Sequence, residues 1–208
     1  MTVTPAYVFT IFMVTVGPIK VIPAFATMVK EATREQVIAL AVRGALQSTA
    51  IALFIAIGIT GMQASWGVSL DAIRIAGGIL LFMSAAGSLL MQAPAAIAKA
   101  APPDEAAIKR MAFMPLSIPT IITPWGVVAI LLFMRLAHGD RAATVSVLAV
   151  LLLVMALNFV GMLFARRIMK VLGIASFQLM GWIFGILQCG LAVETILLSL
   201  QNLGVLAK

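Results

Sequence analysis

Two stretches of this chain place helix-breaking and charged residues inside plain hydrocarbon. The first is Gly17-Pro18-Ile19-Lys20-Val21, followed by Pro23; the second holds Pro119, Thr120, Thr123, Pro124, Trp125 and Gly126. A proline inside a helix has no N–H for the carbonyl four residues back, and its ring pushes that carbonyl away. Pro18 would free the carbonyl of Val14, Pro23 that of Ile19, Pro119 that of Pro115 and Pro124 that of Thr120. A bare carbonyl in lipid costs several kcal/mol, so broken backbone is tolerated only inside protein or beside a wet cavity. The half-helix ends also carry partial charges that can hold a carboxylate or a cation. Together these residues form a candidate substrate-binding set. Ser117, Thr120 and Thr123 recur every third residue, as donors either to freed carbonyls or to a ligand.

Lys20 lies about 4.5 Å by helical rise from the middle of its segment, and the nearer interface, at Met28, is about 12 Å away. A central lysine costs about 2.5–3.5 kcal/mol to insert. It either snorkels or serves as a proton carrier or counter-ion. Glu194 is the one acid well inside an apolar segment, and Arg74 is its partner by depth. Lys20, Arg74 and Glu194 are therefore the candidate coupling or structural ion-pair residues. An Arg74–Glu194 pair is the structural alternative to proton coupling. Gln47, Asn158 and Gln188 are uncharged intramembrane polars, which usually hydrogen-bond between helices.

The elements that must position these groups follow from composition. Of 208 residues, 63% are hydrophobic and 10% charged, against about 45–50% and about 25% in soluble domains. Apolar stretches near the bilayer-spanning length of about 20 residues occur at 6–28, 37–61, 72–91, 112–136, 142–165 and 174–198. The expected fold is all-α, an integral membrane protein with six transmembrane helices, the first and fourth interrupted by Pro and Gly. The N-terminus lacks the basic region of a signal peptide, so the first segment is expected to remain as a helix.

The net charge of +7 sorts by loop. Lys30 and Arg34, then Lys99, Lys109 and Arg110, then Arg166, Arg167 and Lys170 fall in loops one, three and five. Arg141 (with Arg135 at its edge) and Lys208 are the exceptions. The positive-inside rule puts those three loops in the cytoplasm and both termini outside. Basicity thus reports orientation, and no nucleic acid partner is expected.

The linker 92–111, with Pro102-Pro103, divides a single domain, 1–208, into three-helix halves at 1–91 and 112–208. An odd number of crossings per half makes related halves inverted. A shift of about 105 residues superposes the two interruptions, and a similar shift puts Gly77 on Gly181. Matched interrupted segments in two halves point to a transporter's binding site.

Enzyme chemistry finds no support. His138, the single histidine, and Cys189, the single cysteine, stand apart from any carboxylate cluster, so no metal site and no cofactor are expected. No phosphate loop occurs.

On "GPIKVIPAF" (17–25), "GVSLDAIRIAGGILLFMSA" (67–85) and "MAFMPLSIPTIITPWGVVAIL" (111–131) the chain resembles the MarC/SnatA family of six-helix bacterial inner-membrane proteins, related to LysE-type exporters. The resemblance implies a secondary transporter of a small metabolite, a neutral amino acid such as glycine or alanine being the characterised cargo. Within the motif, Gly17 stands where the family commonly has Asp or Asn, Lys20 where it has Gly and Val21 where it has Asn. Thr123-Pro124-Trp125 stands for Gly-Pro-Gly, and Trp125 either caps the cavity or packs against a neighbour. The expected partners are a small-molecule substrate and the lipid bilayer. The alternatives are a scaffold that keeps the fold without transport, and a channel or lipid-handling protein.

Overall fold

The computed structural model describes residues 4–59, 67–90 and 105–206, and these are helical apart from their connections. The first interrupted segment is two helices. α1 (Pro5–Thr15) starts at Pro5 with Thr4 as N-cap, its hydroxyl accepting from the amide of Tyr7 at 3.4 Å. α2 (Pro18–Met28) begins afresh at Pro18, with Gly17 as N-cap. Pro18 therefore opens a helix, where its missing N–H costs nothing, and does not kink one. Pro23 sits inside α2, which runs on through it. Gly17 is required by a close approach: a Cβ there would lie 2.0 Å from the carbonyl oxygen of Met13.

α3 (Arg34–Leu53) opens with a capping box. The Gln36 amide donates to the Thr33 hydroxyl at 3.3 Å, and the Thr33 amide to the Gln36 side chain at 2.8 Å. It continues as a wider, π-type stretch over Phe54–Ile59. α4 spans Leu70–Leu90. α5 (Glu105–Met111) lies within the expected linker, which is thus partly helical; residues 92–104 lie outside the described chain.

α5 runs into Ala112–Ile121, which departs from helix at Met114 (φ −133°, ψ 123°) and Ile118 (φ −130°, ψ 126°). Each precedes a proline, whose ring drives its neighbour out of the helical region. α6 (Pro124–Leu136) repeats the device of α2: proline at the first position, with Thr123 as N-cap accepting from the Gly126 amide at 3.1 Å. α7 (Arg141–Asn202) is capped by Asp140 and interrupted at Gly173, where φ is 71°. Only glycine takes that conformation without steric cost.

Five helical stretches are long and apolar enough to cross a bilayer: Pro5–Met28, Arg34–Ile59, Leu70–Gly87, Arg141–Gly173 and Gln178–Asn202. Glu105–Ile121 with Pro124–Leu136, bent by 64°, makes a sixth if the pair is one span. The described residues of the six expected segments thus fall mostly on helices, and the fourth is a broken pair.

The main core holds Phe12, Phe25, Leu116, Ile130, Phe133 and Met162, all fully buried. Phe12 and Tyr7 meet Phe133 edge-on, with ring centroids 5.4 and 5.8 Å apart. Two basic residues tie connections to the bundle. The Arg166 guanidinium donates to the carbonyls of Val29 and Ala32, and Arg43 pairs with Glu105 at 3.1 Å.

Candidate functional site

The two breaks meet in the middle of the bundle. Ending α1 at Thr15 leaves a run of carbonyls with no helical partner, and Val14, Thr15 and Val16 each receive a side chain. The Gln188 amide donates to Val14 O at 2.9 Å and the Asn158 amide to Val16 O at 2.7 Å. Thr15 O accepts from the Thr123 hydroxyl at 3.1 Å and from the Lys20 ammonium. Gln188 and Asn158, flagged in the sequence as intramembrane polars, thus stitch α7 to the first break. Each donor replaces a hydrogen bond that lipid could not supply.

Thr123 is the hub. Its oxygen caps α6 through the Gly126 amide, donates to Thr15 O, and accepts from Lys20 Nζ at 3.4 Å. One donor and two acceptor positions exhaust a hydroxyl's capacity. Lys20 therefore turns inward to the break and does not snorkel to the headgroups. Among the described residues no carboxylate lies within ion-pair distance of it.

Beside this junction is a cavity of about 310 Å³. Met13, Val14, Ile19, Lys20 and Pro23 line it from the first break, and Thr123 from the second. Ser84 of α4 and Gly181, Phe184, Gly185 and Gln188 of α7 complete the wall. Of the expected binding residues, Ile19, Lys20, Pro23 and Thr123 come together there.

The others take different places. Gly17 and Val21 are buried in the bundle, and Pro18 lies at the start of α2. Pro119 and Pro124 are exposed, and Thr120 lies outside the wall. Their contribution is to the backbone, since a ring that breaks a helix need not touch what the break exposes. Gly126 is buried against Val16, where a Cβ would approach Val16 Cγ1 to 2.4 Å.

Trp125 does not cap the cavity. It packs with Leu81 and Ala192, its ring 2.7 Å from where a Cβ on Gly77 would stand. Gly181, the residue onto which Gly77 falls in the sequence, has open space before it, with nothing within 4 Å of an added Cβ.

The expected Arg74–Glu194 pair is also corrected. Arg74 Nη1 pairs with Asp71 Oδ1 at 3.1 Å, and the Asn202 amide donates to the same oxygen at 3.0 Å. Helical rotation of 100° per residue explains why. Ala192 and Ser199 are buried and Ile196 approaches Gly78, so that face of α7 meets the bundle. Glu194, two residues from Ala192, points the other way and is exposed. Lys20, Arg74 and Glu194 do not form one cluster.

Sequence reasoning missed the α7 wall and Ser84. Gly181 and Gln188 carried a signal, as a repeat-matched glycine and an intramembrane amide; Phe184 and Gly185 carried none.

The family model for MarC family integral membrane proteins matches residues 3–203. A UPF0056 membrane protein of Methanocaldococcus jannaschii is 27% identical over 203 residues, covering 95% of this chain and 86% of the relative. A second UPF0056 membrane protein of that organism is 24% identical, over 89% of this chain and 90% of the relative. One from Aquifex aeolicus is 26% identical, over 90% and 87%. No solved structure matches the chain.

Proposed function

Because the chain belongs to the MarC family of integral membrane proteins, we propose that it is a secondary transporter of a small metabolite across a bacterial inner membrane. Neutral amino acids are the first class to test, because the resemblance points to them. One observation carries the reading: two helix breaks from opposite halves of the chain meet beside an open cavity of about 310 Å³. That is at the small end of ligand sites, about 300–1,000 Å³.

In this reading the halves 1–91 and 112–208 are inverted repeats, with basic loops inside and both termini outside. Transport proceeds by alternating access, one half rocking against the other around the broken helices. The contrast between the glycines supports it. Gly77 is packed under Trp125 and Val128, whereas Gly181 faces space. Equivalent places, one closed and one open, are what a single state of such a cycle requires. The rocking motion would exchange them.

A non-transporting scaffold is the alternative. It has no use for the space, which Trp125, turned into α4, leaves unfilled.

The test is counterflow of glycine, alanine and small monocarboxylates into proteoliposomes. Thermal stabilisation of the purified protein by the same compounds and an amino acid panel runs alongside, since occupancy stabilises by mass action. Saturable uptake of at least one of them, abolished by Gly181→Trp, is expected. Absence of both uptake and stabilisation across the panel, extended to small organic acids and amides, would refute it.

A further inference from the structure

The walls of the cavity are unequal in charge. Lys20 is the one basic group in the wall, and no aspartate or glutamate is among the residues lining the space. The six acids of the described residues are used or placed elsewhere: Asp71 with Arg74, Glu105 with Arg43 and Lys109, Asp140 as the cap of α7, Glu31 and Glu35 exposed around the start of α3, and Glu194 exposed on the outer face of α7. An ammonium has three N–H donors. Thr15 O and Thr123 Oγ1 take two, which fixes the nitrogen and leaves the third for the cavity.

A second source of positive potential adjoins it. α2, eleven residues long, starts at Pro18 with no side-chain cap and no acid in its first turn. Its first-turn residues Ile19 and Lys20 line the cavity. The helix dipole and uncapped first-turn amides favour an anion there. Gln188, held by its bond to Val14 O, has a second amide N–H. The wall therefore offers donors and a cation, with no carboxylate to receive a second cation.

We infer that the ligand of this cavity is a small monoanionic carboxylic acid, its carboxylate docked on Lys20 at the start of α2, and that a zwitterion is disfavoured. The reason is electrostatic. A carboxylate stabilises the protonated form of Lys20 in a setting where an unpaired charge is costly. An α-ammonium would bring a second positive charge beside Lys20 with no acidic partner among the lining residues. This inference rests on the cavity being a ligand site, as proposed above, and narrows what fills it.

The experiment uses the full chain in nanodiscs and compares ligands of one size: propionate, 2-hydroxypropionate, alanine and propionamide. Thermal shift and calorimetric titration read binding at constant sodium chloride. The two monoanions are expected to bind at least about tenfold tighter than alanine or propionamide, as a charge-assisted contact predicts. Lys20→Met should erase that preference, and Lys20→Arg should keep part of it. Should Lys20→Met fail to fold, the wild-type panel still decides, because propionate and propionamide differ at the charged group. Alanine or propionamide binding as well as propionate would overturn the inference and leave the transport reading standing. So would an unchanged preference in Lys20→Met. Failure of every ligand to bind would overturn the inference, and absence of uptake across the wider panel as well would overturn the transport reading with it.

Discussion

A matched pair of substitutions, Gly77→Ala and Gly181→Ala, separates the two glycines that the sequence makes equivalent. At Gly77 the new methyl would stand 2.2 Å from Val128 Cγ1 and 2.7 Å from Trp125 Cζ3. The Trp125 ring cannot give way freely, because it is 4% exposed and packed against Leu81 and Ala192. Such overpacking costs about 1–3 kcal/mol. At Gly181 nothing lies within 4 Å, so the methyl meets no clash. Both changes gain the helix preference of alanine over glycine, about 1 kcal/mol in water, and that gain cancels in the comparison. The difference between the variants is therefore the clash, about 1–3 kcal/mol. For a chain of this length, each kcal/mol moves the midpoint by about 2–4 °C. Gly77→Ala should melt about 2–12 °C below Gly181→Ala in the same detergent or nanodisc. Equal melting temperatures, or the reverse order, would refute the packing argument and remove the structural asymmetry on which the closed-and-open reading stands.

Three further outcomes are expected. Gly17→Ala sets a methyl against the Met13 carbonyl, which is backbone and cannot rotate away; a loss of about 1–3 kcal/mol in thermal or denaturant unfolding would register it. Thr123→Val keeps the shape but removes the cap of α6 and the donor to Thr15 O. It should cost about 1–3 kcal/mol, and unchanged stability would show that Thr123 does not join the breaks. Asp71→Asn and Arg74→Met should be non-additive in a double-mutant cycle, whereas Glu194→Gln should be additive with Arg74→Met. A coupling between Arg74 and Glu194 would reinstate the pair that the geometry replaces.

The sequence by itself determined the solvent and the elements. With 63% of residues hydrophobic and 10% charged, lipid surrounds this chain; backbone in lipid must close its own hydrogen bonds in helices or a barrel, and apolar runs of about 20 residues select helix. Pro18 and Pro124 marked where two of those helices stop and restart, because a proline's missing N–H is local chemistry. The motifs 17–25, 67–85 and 111–131 also carried the family, which the match over residues 3–203 bears out.

What surrounds the breaks was decided by tertiary structure alone. Which face of α7 turns inward depends on how it packs, so Gln188 reaches Val14 while Glu194 is left outside. Depth along the chain suggested Arg74 for Glu194, but depth carries no azimuth, and Asp71 on the same helix was nearer. Two glycines equal in sequence became unequal because one met Trp125 and the other met empty space. A helix break is written in the residue that makes it. The partner that repairs it lies more than a hundred residues away, and only the packed bundle brings Thr123 to Thr15.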